Sequence, residues 1–242
     1  MSLKLDRAGE KYTTNEGYEV EITEYKGAMS VEVRFNNGYK TRTDFGTIKK
    51  GKVKNPYHKS LFGVGYFGVG CYKCRINNKL TKSYKCWSSM LQRCYDEKWK
   101  EGSPTYKDCF VVEEWHNFQV FSEWFYKNYV EGWALDKDIL VKGNKIYSPE
   151  TCCFVPTEIN LQFTKRTNKP SQTIKNRGKS FEVRVSINNK NTTIGTFKTE
   201  KEAKDSFIRT RKEVLNSLIR KYKNQLSDKV YIFLENYEIE ET

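Results

Sequence analysis

The residues best suited to chemistry lie in the segment 136–160, where a short apolar run, a Gly143-Asn144 turn and a helix-starting sequence at 147–152 follow one another. This order predicts a strand, turn and helix unit. Carboxylate and amide oxygens in such a unit contact divalent ions or phosphate. The candidates are Asp136, Asp138, Asn144, Glu150 and Asn160. The alternative is that the acidic side chains are solvated caps of the turn and the helix.

Two further patterns contain residue types that bind metals or transfer protons. Cys71 and Cys74 have the spacing of zinc ligands, but the sequence has no second paired motif, so we do not expect structural zinc. The seven cysteines are scattered and odd in number, and we expect reduced thiols rather than a disulfide framework. His116 lies off the aromatic stripe beside it and is predicted to be a surface side chain.

The composition indicates a polyanion as partner. The chain has 242 residues, enough for two or three small domains, and a formal net charge of +13. Nucleic acid is the commonest polyanion, and membrane headgroups are the alternative. No stretch approaches the roughly 20 apolar residues of a membrane helix, and the N-terminal residues lack the apolar core of a signal peptide. We therefore expect a cytoplasmic protein.

Three patterns precede the segment 136–160. Alternating apolar residues between Tyr18 and Val53, with a turn at 36–38, predict a small antiparallel β module. The glycine-rich strip 63–70 lacks the Lys-Ser/Thr of a phosphate loop, so nucleotide binding is not expected. From 82 to 129 the apolar period is helical, which predicts two buried stripes. They are Trp87, Met90, Leu91 and Cys94, then Trp115, Phe118, Phe121 and Phe125.

A basic linker and a two-faced strand follow that segment. Residues 163–172 are polar and basic, as in a linker. The alternation in 180–187 predicts a strand with one buried face and with Glu182 and Arg184 on the wet face. A turn at 188–190 leads to a further strand. A three-stranded sheet covered by one helix leaves its second face free to enter a major groove.

A long helix is predicted after this sheet. Thr199 and Glu202 form a capping box at its start. The predicted buried stripe is Ala203, Phe207, Thr210, Val214 and Leu218. Residues 163–223 hold 17 Lys and Arg against 5 Asp and Glu, which accounts for nearly all of the excess charge. A solvated helix face is the alternative for part of that charge. It would include Lys201, Lys204, Arg211 and Lys212.

The sequences GKSFEVRV at 178–185 and IGTFKTEKEA at 194–203 resemble the Apetala-type (ethylene-response-factor) DNA-binding domain. In that family the sheet lies in the major groove of duplex DNA. The resemblance implies DNA contacts by six side chains. These are Arg177, Lys179, Arg184, Thr193 and Lys198, with Lys175 on a phosphate. Phe181 stands where the family usually has Trp.

Residues 84–160 resemble phage-type HNH endonuclease proteins, through YxxWxxMxxRC at 84–94, LDKD at 135–138 and YSPETC at 147–152. An HNH site uses a general base, normally His, at the end of its first strand, and a metal ion that activates water beside a phosphate. Lys137 stands in that His position. A lysine of ordinary pKa is protonated at neutral pH and cannot accept a proton from water.

The resemblance assigns roles to the candidates of the segment 136–160. Catalytic positions are Asp136, Lys137, Asp138 and Asn160, and metal ligands are Asp138, Asn144 and Glu150. The ion would be magnesium or manganese, without a small-molecule cofactor. Because of Lys137, two hypotheses stay open: a phage HNH-type endonuclease with a degenerate site, and a non-catalytic DNA-binding regulator or inhibitor of a nucleic-acid machine.

The N-terminal sequences at 17–22 and 31–38, ahead of 51–56, are similar to small SH3-like barrels of such phage proteins. Lys52 and Lys54 belong to a basic run that is predicted to touch phosphate. The alternative is a charged sheet edge that blocks aggregation.

Together these patterns predict an α+β, multi-domain protein that binds double-stranded DNA and acts, by resemblance, in the cytoplasm of a phage host. The predicted parts are an SH3-like β module at 1–62, an HNH-like domain with helical and ββα elements at 63–162, a basic linker at 163–172, and an Apetala-type domain at 173–242. The sequence leaves the oligomeric state and the recognised DNA sequence open.

Overall fold

The structure is a computed structural model, and it describes residues 6–163, 173–187 and 190–239. Several small sheets and seven α-helices occur in these residues, which confirms the predicted α+β class. Within the same ranges, every helix is too short or too polar to span a lipid bilayer.

A four-stranded antiparallel sheet forms the N-terminal part. Its strands, in sheet order, are β1 (Lys11–Thr13), β2 (Glu19–Tyr25), β3 (Val31–Phe35) and β4 (Lys40–Thr43), and helix α1 (Phe45–Lys49) follows. The predicted turn joins β3 to β4, where Gly38 has a φ of +84° and its N–H donates to the Phe35 carbonyl. Buried side chains alternate along β2 and β3, as predicted, and share a core with Ile48 and Val53.

The central part is built around two aromatic-rich helices. Its elements are β5 (Arg75–Ile76), β6 (Lys79–Leu80), α2 (Lys82–Tyr95), α3 (Glu97–Gly102), β7 (Phe110–Val111) and α4 (Phe118–Asn128), with 3-10 turns at Pro104–Tyr106 and Glu113–His116. All eight side chains of the two predicted stripes are buried in one core. The Trp87 indole N–H donates to the Trp115 carbonyl at 2.7 Å, so the polar edge of this ring is satisfied inside the core.

The glycine-rich strip 63–70 runs across α2 and the start of α4. A Cβ atom on Gly65 would lie 2.6 Å from the Leu91 side chain, a distance that real atoms do not tolerate. Gly68 has a φ of +70°, and a Cβ there would lie 2.1 Å from the Asn117 side chain. The glycines therefore allow the backbone to approach the helices closely.

An antiparallel strand pair followed by a helix comes after α4. The elements are β8 (Trp133–Asp136), β9 (Ile146–Tyr147), β10 (Cys153–Pro156) and α5 (Thr157–Gln162). β8 pairs with β10, with Asp136 opposite Cys153, while β9 pairs in parallel with β7. The loop between β8 and β10 holds most of the predicted catalytic and metal-binding residues.

The helix start predicted at 147–152 is wrong. These residues end β9 and make one turn, in which the Ser148 hydroxyl accepts a hydrogen bond from the Thr151 N–H, and α5 begins only at Thr157. The intervening run at 153–156 is buried throughout because it pairs with β8. Strand pairing thus limits the turn-forming sequence to a single turn.

A three-stranded antiparallel sheet and two helices form the C-terminal part. They are β11 (Ile174–Asn176), β12 (Phe181–Ile187), β13 (Lys190–Phe197), α6 (Glu200–Tyr222) and α7 (Asp228–Glu235), and β12 is the central strand. The predicted capping box is present, because Thr199 and Glu202 each accept a hydrogen bond from the other's backbone N–H. The predicted turn residues 188–189 and linker residues 164–172 lie outside the described residues.

The buried stripe of α6 differs from the predicted one. Ala203, Phe207 and Leu218 are buried as predicted, but Thr210 and Val214 are only partly buried. Their places are taken by Arg211, Leu215 and Ile219. The interpretation of Arg211 as part of a solvated face is therefore wrong: its guanidinium donates to the Gln162 carbonyl at 2.7 Å.

The stripe shifts because α6 has two packing partners. Its first half covers β12, where Ala203 and Phe207 meet Val183 and Val185. Its second half and α7 pack on the strand pair and α5. That shared core contains Ile139, Cys153, Val155, Ile159, Leu215, Leu218, Ile219, Leu226, Val230 and Leu234. The cores therefore do not separate at the predicted boundary between 63–162 and 173–242.

Candidate nucleic-acid interface

The sheet β11–β12–β13 has one covered face and one open face. Val183 and Val185 on β12 point into the core under α6, so Glu182 and Arg184 point away from it. Strand register places Lys175 opposite Glu182, and Thr193 opposite Arg184. The open face therefore combines four polar or charged side chains from three strands.

The predicted DNA-contacting residues lie on this face or at the ends of its strands. Arg177 follows β11, Lys179 lies in the turn before β12, and Lys198 follows β13. All six predicted side chains except that of Arg184 are exposed, and the Arg184 side chain is 43% exposed. The structure thus brings these positions together around one small sheet.

Glu182 is a further candidate residue of this face that the sequence interpretation did not single out. Its carboxylate lies 3.2 Å from Arg177 Nη2 and 2.7 Å from Arg184 Nε. Although burial opposes ionisation, hydrogen bonding and the charges of the two arginines hold the pKa of Glu182 below its ordinary value. One carboxylate therefore lies within ion-pair distance of two guanidinium groups. The sequence signal that could have identified Glu182 is its i, i+2 spacing from Arg184 on the solvent-facing side of the strand.

A β-bulge changes the register beside Arg184. Val183 is opposite Gly195, but Arg184 is opposite Thr193, so Ile194 is an extra residue on β13. Bulges of this kind increase the local twist of a strand and redirect its side chains. Here the bulge aligns Thr193 with Arg184 on the open face.

The basic run of the N-terminal part is only partly available. Lys52 is exposed, but the Lys54 ammonium lies 2.8 Å from the Glu16 carboxylate. An exposed ion pair of this kind is weak and screened by salt. Lys52 is therefore the better candidate of the two for a phosphate contact.

Lys137, in the loop after β8, is a buried cation with its own partners. Its side chain is only 6% exposed. The ammonium lies 2.7 Å from both carboxylate oxygens of Asp138 and donates to the Asn144 carbonyl at 2.8 Å. It also lies 5.9 Å and 5.8 Å from the ring centroids of Tyr106 and Tyr147. These contacts satisfy a charge that would otherwise be unfavourable inside the protein.

Asn144 and Asp136 hold the same loop through its backbone. The Asn144 amide donates to the carbonyls of Lys137 and Ile146 at 2.7 Å each, and its oxygen accepts from the Ile146 N–H at 3.0 Å. Asp136 Oδ1 accepts from the N–H groups of Asp138 and Ile139, both at 2.7 Å. Burial raises the pKa of the Asp136 carboxyl above its ordinary value.

The remaining candidates do not join this group. Glu150 is exposed in the turn before β10, and a hydrogen bond with Ser148 lowers its pKa. Asn160 is half-buried on α5, where its carbonyl accepts from the Phe163 N–H at 3.0 Å. The structure therefore brings Lys137, Asp138 and Asn144 together, and not the full predicted set.

These residues do not fit the magnesium or manganese ion that an HNH site implies. Both oxygens of Asp138 already face the Lys137 ammonium, and the Asn144 amide is bonded to the backbone of the loop. A cation bound by Asp138 would be repelled by the lysine at the same oxygens. Among the described ranges, no group of three or more His, Cys, Asp or Glu side chains is positioned to hold a metal ion.

His116 and most of the cysteines are buried or partly buried. His116 is half-buried rather than on the surface, its Nε2 lies 3.1 Å from the Tyr95 hydroxyl, and burial lowers its pKa. The seven cysteines are free thiols, of which Cys71 is exposed and Cys74 partly buried.

No family model, curated protein or solved structure matches the chain in the comparisons that we made.

Proposed function

We propose that the protein recognises specific sequences in duplex DNA through the open face of β11–β12–β13. The observation that carries this proposal is the bridging of Arg177 and Arg184 by Glu182. A guanidinium oriented by an ion pair suits bidentate contacts to the O6 and N7 atoms of guanine in the major groove. Pre-ordering by Glu182 reduces the conformational entropy that Arg184 would lose on binding.

The flanking lysines complete the proposed interface. Lys175, Lys179 and Lys198 are exposed on the sheet or at the ends of its strands, where they would contact backbone phosphates. Each phosphate contact releases counterions from the DNA and makes the affinity depend on salt.

We propose in addition that the C-terminal part is an Apetala-type module, the central part an HNH-like module and the N-terminal part an SH3-like module. The protein would then be a phage protein that acts in the cytoplasm of its host. The order β8, loop, β10, α5 supports the HNH-like assignment, because it is the strand–strand–helix order of the ββα unit.

The position of Lys137 favours binding without hydrolysis. An ammonium group paired with Asp138 donates hydrogen bonds and is unsuited to accept a proton from water. We therefore propose a regulator or inhibitor of another nucleic-acid machine in preference to an active endonuclease.

Two claims, sequence recognition and the absence of hydrolysis, are tested by one experiment. Duplexes are selected from a random pool for binding, and the selected duplexes are then used in binding and cleavage assays. We expect a selected sequence to bind more tightly than random duplex. Arg184→Ala should weaken that preference by about 1–3 kcal/mol, because it removes one base contact. With magnesium or manganese we expect the selected duplex to stay intact.

Arg34→Ala is the matched control, since Arg34 is another half-exposed arginine on a strand, 3.0 Å from Glu21. It should leave the sequence preference unchanged. Equal binding of selected and random duplexes by the parent protein would contradict sequence recognition. Metal-dependent cleavage of the selected duplex, lost on substitution of Asp138, would instead establish the endonuclease.

A further inference from the structure

A second stretch of the chain carries only positive charge. Between Phe45 and Tyr95 there are eleven Lys and Arg residues and no Asp or Glu. They are Lys49, Lys50, Lys52, Lys54, Lys59, Lys73, Arg75, Lys79, Lys82, Lys85 and Arg93. None of them belongs to the sheet β11–β12–β13. Lys54 and Lys82 lie in ion pairs with Glu16 and Glu131, and the remaining charge favours contact with a polyanion.

An exposed hairpin lies within this stretch. β5 and β6 pair through a two-residue turn in which Asn77 and Asn78 have φ values of +47° and +60°, as a type I′ turn requires. Lys73, Arg75 and Lys79 are exposed, and in the described part of the chain none of the three is in an ion pair. The hairpin therefore presents three uncompensated cations to solvent.

The base of the hairpin is fixed to the start of α2. The Thr81 N–H donates to the Cys74 carbonyl at 2.9 Å, and the Thr81 hydroxyl donates to the Lys73 carbonyl at 3.0 Å. Near the tip, Arg75 Nη1 donates to the Asn78 carbonyl at 3.2 Å. These bonds fix the backbone of the hairpin that carries the three cations.

An aromatic groove adjoins the hairpin. A cavity of about 300 Å³ lies between β5–β6 and the C-terminal end of α4. Its lining includes Ile76, Lys79, Lys82, Phe125, Tyr126 and Tyr129. Tyr126 is 53% exposed and stacks on Tyr72, with ring centroids 5.4 Å apart and planes 18° apart. A pre-stacked, exposed aromatic ring thus lines the same groove as Lys79, one of the three uncompensated cations.

Exposed aromatic rings beside unpaired cations suit a nucleic-acid strand whose bases are not paired. Base stacking on aromatic side chains and phosphate contact in a basic groove are the two interactions that bind single strands. Duplex DNA would use the cations but leave Tyr126 without a partner, because its bases are already stacked. An acidic peptide would likewise use the cations and leave the ring faces unused.

We propose that the hairpin β5–β6 and this aromatic groove bind a single-stranded segment of DNA, with a base stacked on Tyr126 and phosphates held by Lys73, Arg75 and Lys79. This inference rests on the proposed function, because it assigns a second contact on the DNA that the sheet β11–β12–β13 holds. The protein would thereby prefer duplexes that are locally opened or carry a single-stranded tail.

The test measures binding of the full-length protein to three fluorescent probes: the selected duplex, oligothymidine, and the selected duplex with an oligothymidine tail. Tyr126→Leu keeps an apolar side chain but removes the ring, and it should weaken oligothymidine binding about tenfold. Tyr126→Phe should restore it. The double variant Arg75→Ala, Lys79→Ala should reduce the slope of log affinity against log salt for oligothymidine by about 1.4.

Duplex binding separates this inference from the proposed function. Tyr126→Leu should leave affinity for the untailed duplex unchanged, whereas Arg184→Ala should weaken it and leave oligothymidine binding intact. Tyr57→Leu, at an exposed tyrosine outside the groove, is the matched control and should have no effect on oligothymidine. Parental oligothymidine affinity in Tyr126→Leu would overturn the inference, even if duplex recognition held. Tighter binding of oligouridine than of oligothymidine would overturn its assignment to DNA.

Discussion

Individual polar residues in the loop after β8 serve the loop itself. The ammonium of Lys137 donates to the Asp138 carboxylate and to the Asn144 carbonyl. Asn144 bonds to backbone groups on both sides of this ammonium. A buried charge of this kind is tolerated only when it is fully paired, and removal of one partner is strongly unfavourable. The contacts of Lys137 and Asn144 thus hold the conformation of the loop.

The partly buried Asp136 carboxyl should make the stability of the protein depend on pH. Asp136→Asn keeps an oxygen for the N–H groups of Asp138 and Ile139 but removes a buried charge, so we expect the variant to be at least as stable as the parent at pH 7. Because the folded pKa is raised, the penalty of the charged form exists above that pKa and disappears as pH falls through it. The difference between the two proteins should therefore narrow with decreasing pH in urea titrations.

Asp136→Ala is the control for the hydrogen bonds. It lacks the acceptor as well as the charge, and it should lose about 1–2 kcal/mol of unfolding free energy relative to Asp136→Asn. Equal stability of the two variants at all pH values would show that the loop does not depend on this acceptor.

Contacts between residues a few positions apart could be predicted from the sequence, whereas contacts between distant residues could not. The Thr199–Glu202 capping box and the alternation around Val183 were predictable because each involves residues a few positions apart. The contact between Lys137 and the Asn144 carbonyl was not predictable, since a loop conformation decides it. The burial of Arg211 was also missed, because its partner, the Gln162 carbonyl, belongs to another part of the chain.

At the scale of elements, close packing explains sequence features that otherwise resemble ligand motifs. The strip 63–70 has the glycine content of a phosphate loop, yet its glycines face α2 and the start of α4. Hydrophobic periodicity predicted both helices correctly, because their stripes face one common core. It predicted α6 only in part, since a helix that packs on two different partners does not keep one buried stripe.

Gly65→Ala tests the packing of the strip. The added Cβ would lie 2.6 Å from Leu91 and 3.1 Å from Trp87 inside a closed core, so we expect a loss of about 1–3 kcal/mol in unfolding free energy. Gly102→Ala is the matched control, because a Cβ there has no neighbour within 4 Å. It should change stability by less than about 0.5 kcal/mol. Equal urea midpoints for both variants would mean that the strip accommodates the added methyl group at position 65 without strain.

At the scale of the whole molecule, the positive charge is divided between two regions. The excess of positive charge in 163–223 alone nearly equals the net charge of the chain, but residues 45–95 hold a comparable excess. The intervening and terminal segments are acidic and hide it in the total. A long DNA substrate that contacts both regions would gain affinity through linkage of two binding events on one molecule.

The central and C-terminal parts, which the sequence assigned to separate domains, share a core, so we expect the residues from β8 to α7 to unfold as one cooperative unit. Ile139, Val155 and Ile159 are covered by residues of α6 and α7. Co-expressed fragments 1–163 and 173–242 should therefore associate and co-purify, while 1–163 alone should expose this apolar surface and bind a hydrophobic dye.

Two substitutions on α7 distinguish specific docking from aggregation of the fragments. Val230 is fully buried in the shared core, and Val230→Asp should abolish association because it places an unpaired charge there. Ile232 on the same helix is 58% exposed, and Ile232→Asp should leave association unchanged. If 1–163 alone unfolds at the same temperature as it does in the intact chain, without binding its partner fragment, the two parts are independent domains after all. The sheet β11–β12–β13 would then not be held in a fixed position relative to the central part, and DNA contact by both basic regions at once would lose its structural basis.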